Sequence, residues 1–308
     1  SLEPCNNHGV TGPCIDALIK AEVARVVIAC DDPYQQQNYP GGGEKLEAAG
    51  ISVRRGILGR EAWLLNEGFF MRVAEGRPLV SAKMATSLDA KIATKTGVSK
   101  WLTGNAARMR GHEFRMQNDA VLCGIRTVIA DDPMLNVRLI DYDGHQPIRI
   151  VIDRDLKMPV KSKLVLTAKE QDCWVICRKD DDGQERSAKD IEAYQLKLRQ
   201  LRDFGVRLMP IATSANGQFH PKDILKALGK KGITRLMIEG GGYTISSFIV
   251  ADMVDRLLWF RSPQLIGADG VPAVHNLGVE TLENRFKFKM ESFERTGEDF
   301  LEIWRRKD

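Results

Sequence analysis

Short apolar runs of strand length alternate with amphipathic helical stretches along most of the chain. Residues 23–30 (VARVVIAC) read as a buried strand, ISVRRGI as a second, and 60–73 as a helix by apolar spacing. Between the two strands, QQQNYPGGG reads as a loop. The short helix EKLEAAG follows it and is closed by Gly50. The EGRP stretch at 75–78 interrupts the pattern, which places a domain boundary between 1–76 and 77–308. Beyond it, 79–94 alternates like a strand, and 97–101 is a turn feeding a helix from a Thr103 cap to about 117. DAVLCG is a short buried strand, and a turn opens at Thr127 and closes at Pro133. PIRIVID is a strand ending at Asp153, and the segments around 164–167 and 173–178 are strand-like. The run 179–190 is a charged loop, 190–204 an amphipathic helix, GVRLMPI a strand and HPKDILKALGKKG a helix. ITRLMIE is a buried strand, followed by three glycines and the helix YTISSFIVA. Strands close the chain at VDRLLWFRSPQLIG, FKFKMES and DFLEIWRR. This alternation predicts an α/β fold with a mostly parallel sheet and an antiparallel C-terminal edge.

Composition narrows the function classes. The 308 residues are 43% hydrophobic and 28% charged, ordinary for a globular chain with a full-sized core. A net charge of +4 suits a protein that handles a phosphorylated metabolite. It is too weak to argue for nucleic acid. No apolar run is long enough to span a membrane and no secretory signal is visible. Four of the six cysteines (Cys30, Cys123, Cys173, Cys177) sit in apolar or strand-like settings, as reduced core residues do in a cytoplasmic protein. The chain opens on Ser1 within a motif and reads as lacking its true N-terminus.

Candidate chemistry clusters in residues 83–138. Lys83 lies mid-strand, bracketed by small residues that would leave room for a ligand; a solvated strand face is the other reading. Arg108 and Arg115 are seven residues apart and share a helix face. Arg115 and Arg138 make a natural clamp for a phosphate monoester, unless both are merely surface residues. Asp132, before Pro133, fits a turn cap, whereas Asp131 closes a segment that returns to Arg138. Downstream, Glu239 ends a strand and Gly240, Gly241 and Gly242 precede a helix. That order is the recipe for a phosphate cradle, or for a tight β-α turn, but it is not a G-x-G-x-x-G fingerprint. Gly41–Gly43 fit a plain connector better than a second cradle. Cys5 and Cys14 flank a Gly/Pro/Asn loop, and Cys14 opens a helix, a setting that favours thiolates. Two cysteines supply only half of a zinc site, and His8 fits a turn residue better than a ligand.

The run PCNNHGVTGPC resembles the second half of the cytidine-deaminase-type zinc signature. More narrowly, it is similar to the deaminase domain of the bifunctional riboflavin-biosynthesis deaminase/reductase family. That resemblance implies Cys5 and Cys14 as zinc ligands. It also requires an upstream H-x-E motif, which occurs nowhere in this chain, so zinc is expected only if the missing ligand is supplied. Gly12 stands where the family favours Pro and Asn7 where it favours His. No deaminase activity is expected from the chain as it stands.

From about 77 to 308 the chain resembles the reductase domain of the same family. The resemblance rests on KMATSLD, the SKW turn, the helix exit around RMQNDAV, TVIADDPMLNVR and EGG before a helix. It implies a dihydrofolate-reductase-like fold, preceded by the C-terminal half of a cytidine-deaminase-like α/β domain. The implied reaction is NADPH-dependent reduction of the ribosyl group of 5-amino-6-(5-phosphoribosylamino)uracil to a ribityl chain. Carried over by position, the cofactor would contact Ala85, Trp101, Thr127 and Asp131. It would also contact Gly241, Gly242, Tyr243, Thr244, Ile245, Ser246 and Ser247. Substrate would contact Ser99, Arg115, Leu135, Arg138 and Glu239. Arg154 would favour the 2′-phosphate of NADPH, and Lys83, Asp131 and Glu239 are the unranked candidates for proton management. Val98 replaces a common Glu, and Ala90 a common Gly. A homo-oligomer acting on a phosphorylated pyrimidine is expected, with neither nucleic acid nor membrane as partner. The rival readings are a protein that is chiefly a zinc pyrimidine deaminase, and a nucleotide-binding scaffold with decayed sites.

Overall fold

The computed structural model describes residues 2–38, 41–179 and 187–307. The chain divides into two compact units, Ser1–Pro78 and Leu79–Asp308. The first holds α1 (Cys14–Lys20), β1 (Arg25–Ile28), α2 (Pro33–Asn38), α3 (Gly42–Ala48), β2 (Ser52–Arg55) and α4 (Gly59–Glu75). β1 and β2 pair in parallel, and Ile15, Leu46 and Ile51 form a small core beneath them. The strand expected to be buried at 23–30 is only partly so: Ile28 is fully enclosed, but Val27 is 40% exposed. The stretch expected to be a loop before the glycines contains α2, whose first turn is held by Asp32 accepting from the Tyr34 N–H. Of the three glycines read as a connector, only Gly41 precedes α3; Gly42 and Gly43 form its first turn, with the Gly43 N–H donating to the buried Glu3 carboxylate.

The second unit runs β3 (Leu79–Thr86), β4 (Lys91–Ala93), α5 (Asn105–Met116), β5 (Ala120–Gly124), α6 (Ile125–Asp131), β6 (Ile148–Ile152) and α7 (Lys163–Leu166). It continues through β7 (Cys173–Arg178), α8 (Ala188–Asp203), β8 (Arg207–Ile211), α9 (Pro221–Lys230), β9 (Arg235–Glu239) and α10 (Gly242–Val250). It ends with β10 (Arg256–Arg261), β11 (Val271–Pro272), β12 (Phe288–Thr296) and β13 (Asp299–Arg306). Among the described residues, nine strands form one sheet in the order β12-β13-β10-β3-β9-β5-β6-β7-β8. The strands from β10 to β8 pair in parallel, and β13 and β12 add an antiparallel edge. This is the architecture the alternation pattern predicts.

Both sheet faces are buried, as a parallel sheet requires. Successive strand residues point to opposite faces. Thus Val121, Cys123 and Val151 pack with α5 and α8 on one side, while Leu122, Ile150 and Ile238 pack with α9 and α10 on the other. Cys173 and Cys177 join the first core as free thiols, their pattern of burial matching the reduced-core reading.

Four local expectations are corrected. The Thr127 turn is the helix α6, and the strand-like segment near 164–167 is the single helical turn α7. Both are too short for apolar period to separate helix from turn or strand. Tertiary contacts decide α7: Asp132 Oδ1 accepts from the Lys163 N–H at 2.9 Å, and fully buried Arg149 donates to the Thr167 carbonyl. α5 starts after Gly104 rather than at a Thr103 cap, because the Gly104 N–H donates to Asp299 at 2.7 Å. The strand-like stretch 79–94 also breaks at Ser87–Ala90, where Ser87 and Asp89 form a turn. Most of the charged loop at 179–190 lies outside the described residues.

Candidate active site

β3 and β9 lie side by side with Lys83 opposite Glu239 in the register. Directly opposed residues of neighbouring strands share a sheet face. Here that face is the one covered by α5, which lowers Arg115 onto Glu239. Arg115 Nε donates to Glu239 Oε1, Nη2 to Oε2 at 2.8 Å, and Nη1 to the Asn136 carbonyl at 2.8 Å. Glu239 is 8% exposed. Burial pushes its carboxyl up, but the bidentate Arg115 guanidinium and nearby Lys83 outweigh burial and hold it at about 2. Lys83 moves the other way: burial lowers its ammonium, Glu239 only partly compensates, and Arg115 adds repulsion. Its Nζ sits 5.5 Å from the Phe260 ring centroid.

The carboxyl ends of β3, β9 and β5 open into a cavity of about 470 Å³, the size range of small-molecule sites. Its floor is Lys83, Arg115 and Glu239, and Thr127, Asp131, Leu135, Gly240, Gly241 and Gly242 also line it, with Thr127 lying against the glycine turn. Gly240 and Gly241 have φ of +73° and +74°, where L side chains are strained. A Cβ on Gly242 would stand 2.8 Å from the Ala273 carbonyl oxygen. These glycines bring backbone against the cavity, and no side chain caps the start of α10, so its first N–H groups suit an anion.

Of the residues singled out in the sequence, Ala85, Ser99, Tyr243 and Ile245 also line this cavity. Trp101 does not. It stacks under Arg108, 4.4 Å from guanidinium carbon to ring centroid, beside a separate hollow. Arg138 stands outside the lining, with Nη1 donating to Asn136 Oδ1 at 2.7 Å. Arg154 donates to Asp155 and to the Gly217 carbonyl, also outside the lining. Thr244 Oγ1 would meet a Cβ on Gly124, Ser246 Oγ accepts from the His275 N–H, and Ser247 Oγ donates to the Thr244 carbonyl. Asp132 ends α6 in the left-handed conformation, and its Oδ1 accepts from the distant Lys163 N–H rather than from its own turn. In the first unit, the Cys14 N–H donates to Cys5 Sγ at 3.2 Å, and the thiol-to-thiol hydrogen bond with Cys5 raises the Cys14 thiol. Two thiols are half of a tetrahedral set, and no cluster of three metal-binding side chains occurs among the described residues.

Three cavity neighbours escaped the sequence reading: His112, Arg126 and His275. His112 precedes Arg115 by three residues, so helical spacing alone places it beside that arginine. Arg126 stands 4.5 Å above the Tyr243 ring, which stacks on His275 at 3.6 Å. Nothing in the local sequence signals that stack, because three distant segments build it.

A mostly parallel sheet with a cavity at its strand ends, a glycine turn and a buried Lys-Glu-Arg floor defines an α/β small-molecule enzyme with a dihydrofolate-reductase-like domain. Residues 78–301 match the RibD C-terminal domain family. The chain is 37% identical to riboflavin biosynthesis protein RibD of Aquifex aeolicus over 99% of its length and 79% of the relative's. It is 33% identical to the Escherichia coli protein of the same name, over 97% and 79%. Among solved structures, Acinetobacter baumannii RibD superposes with a TM-score of 0.84 at 30% identity, covering all of this chain and 80% of that one. A Thermotoga maritima diaminohydroxyphosphoribosylaminopyrimidine deaminase/5-amino-6-(5-phosphoribosylamino)uracil reductase gives 0.80 at 30% identity, covering 100% and 78%. The chain belongs to the RibD family of riboflavin biosynthesis and carries its reductase domain. No helix among the described residues is long and apolar enough to cross a membrane.

Proposed function

We propose that the second unit reduces the ribosyl group of 5-amino-6-(5-phosphoribosylamino)uracil with NADPH. One observation carries the reading: a Lys83-Glu239-Arg115 floor and an uncapped glycine turn face the same cavity. The turn suits a dinucleotide because no side chain caps the first N–H groups of α10, which can face a phosphate. Gly241, Gly242 and the first turn of α10 would hold it, with Thr127 beside the turn and Asp131 on the same cavity. Ala85, Tyr243 and Ile245 supply apolar contact. When bound, NADPH supplies the hydride.

The chain's own groups orient and polarise. Glu239, anionic because Arg115 neutralises it, accepts hydrogen bonds from sugar hydroxyls. Lys83 Nζ, with its affinity for the proton lowered by burial, can give a proton to the substrate and regain one. Arg138 is repelled by Arg115 and its guanidinium is weakened by burial and by that neighbour. A phosphate monoester near both relieves the repulsion. Arg115, fully engaged with Glu239 and Asn136, contributes its charge, and Arg138 makes the direct contact. Ser99 and Leu135 complete the substrate side. Trp101 and Arg154 reach the cofactor only after leaving their present partners, Arg108 and Asp155.

The first unit is read as the C-terminal half of a cytidine-deaminase-like domain. Its Cys5 and Cys14 do not complete a zinc site, so no step is assigned to it. The test is NADPH oxidation by the purified chain with the phosphoribosylaminouracil substrate. Turnover is expected; a folded chain that oxidises no NADPH refutes the proposal.

A further inference from the structure

His112 is 9% exposed, on α5 one turn before Arg115. Its Nδ1 accepts the Arg138 backbone N–H at 3.2 Å and lies 3.5 Å from Arg115 Nη1. Both neighbours of Nδ1 are donors, so that nitrogen must be the unprotonated one and the ring neutral. Burial and the two arginines push its pKa down to about 4, in keeping with that tautomer. One imidazole thus ties the irregular segment carrying Arg138 to the helix carrying Arg115.

We propose that His112 is a positioning residue: its Nδ1 tethers the Arg138 segment to α5, fixing the two guanidiniums at the separation a substrate phosphate monoester requires. The inference rests on the clamp reading given under the proposed function. Without it the segment keeps the Arg115 bond to the Asn136 carbonyl and the Val137–Gln146 pair, but the Arg138 N–H itself is unheld, so binding weakens while the chemistry at Lys83 and Glu239 is untouched.

The experiment compares His112→Leu with His112→Asn, whose amide oxygen can stand near the Nδ1 position. Steady-state kinetics use the phosphorylated substrate, its dephosphorylated counterpart, and NADPH as the varied ligand. Losing the tether should raise KM for the phosphorylated substrate about ten-fold, the worth of one hydrogen bond. The kcat and the KM for NADPH should stay within about two-fold, the dephosphorylated substrate should be indifferent, and Asn should restore most of the loss. Equal losses on both substrates, or an Asn variant no better than Leu, would overturn the tether. If His112→Leu does not fold, Asn is compared with His112→Gln, which reaches towards the Nε2 position; equal KM values overturn the inference. If the wild-type chain oxidises no NADPH, the functional reading fails and inorganic phosphate becomes the probe. A phosphate-dependent rise in Tm that is present in wild type and reduced in His112→Leu supports the tether. No rise in wild type removes it.

Discussion

Replacing Arg115 by Ala tests the buried floor of the cavity most directly. In the intact chain Glu239 is held at about 2 against an ordinary value of 4.5. A carboxyl whose folded pKa is depressed contributes stability that is present above its unfolded value and is lost as pH falls towards the folded one. The difference here is on the order of 3 kcal/mol. Arg115→Ala removes two charge-assisted hydrogen bonds to Glu239 and one to the Asn136 carbonyl. It leaves a buried carboxylate with only Lys83 close to it, and breaking such a pair costs about 3–5 kcal/mol. Without the guanidinium, burial dominates and the Glu239 carboxyl rises. The variant then gains a proton more readily than wild type, and its deficit shrinks as pH falls from 7 towards 4. Urea denaturation of both proteins across that range measures this directly. A deficit that stays constant from pH 7 to 4 would refute the claim that Arg115 acts through Glu239 ionisation. A second variant, Glu239→Gln in the Arg115→Ala background, should recover part of the loss at neutral pH, since an amide can be buried without charge.

Other outcomes follow from single contacts. Ala90 adopts a left-handed backbone with φ +59°. Ala90→Gly should therefore stabilise by about 0.5–1 kcal/mol in thermal or urea unfolding, relief of left-handed strain exceeding the added chain entropy. Gly242→Ala puts a methyl 2.8 Å from the Ala273 carbonyl and 2.9 Å from the Pro272 carbonyl. Unfolding should show a loss of about 1–3 kcal/mol, and NADPH KM should rise more than substrate KM. Arg149, fully buried, donates to Thr167 Oγ1 and to the Thr167 and Gln171 carbonyls. Arg149→Met should cost about 2–4 kcal/mol in urea unfolding by orphaning those acceptors. His112, depressed from 6.5 to about 4, binds its proton more readily when unfolded. It therefore makes stability rise with pH between those values. His112→Asn should flatten that stretch of the stability-pH curve.

The two halves of the site were legible to different degrees. Lys83 within a strand and Glu239 at a strand end could both be read from apolar alternation. The glycines ahead of α10 were visible because β-strand, glycines and helix follow one another in the chain. The Arg115-Glu239 pair could not be read, because its members are 124 residues apart and only the insertion of β9 between β3 and β5 joins them. The same placement pairs Arg115 with Glu239 and leaves Arg138 outside the cavity lining.

The local pattern alone determined the α/β class, the parallel run and the antiparallel edge, because short apolar runs of strand length alternating with amphipathic helices are what a sheet buried on both faces requires. It did not determine α6 or α7, which span seven and four residues. Such short segments carry too few positions to show a period, and contacts with Asp132 and Arg149 decide α7. Tertiary structure also decided the ionisation of the site. The states of Glu239, Lys83 and His112 follow from burial and from charges that the fold brings near, and no stretch of neighbouring residues encodes either.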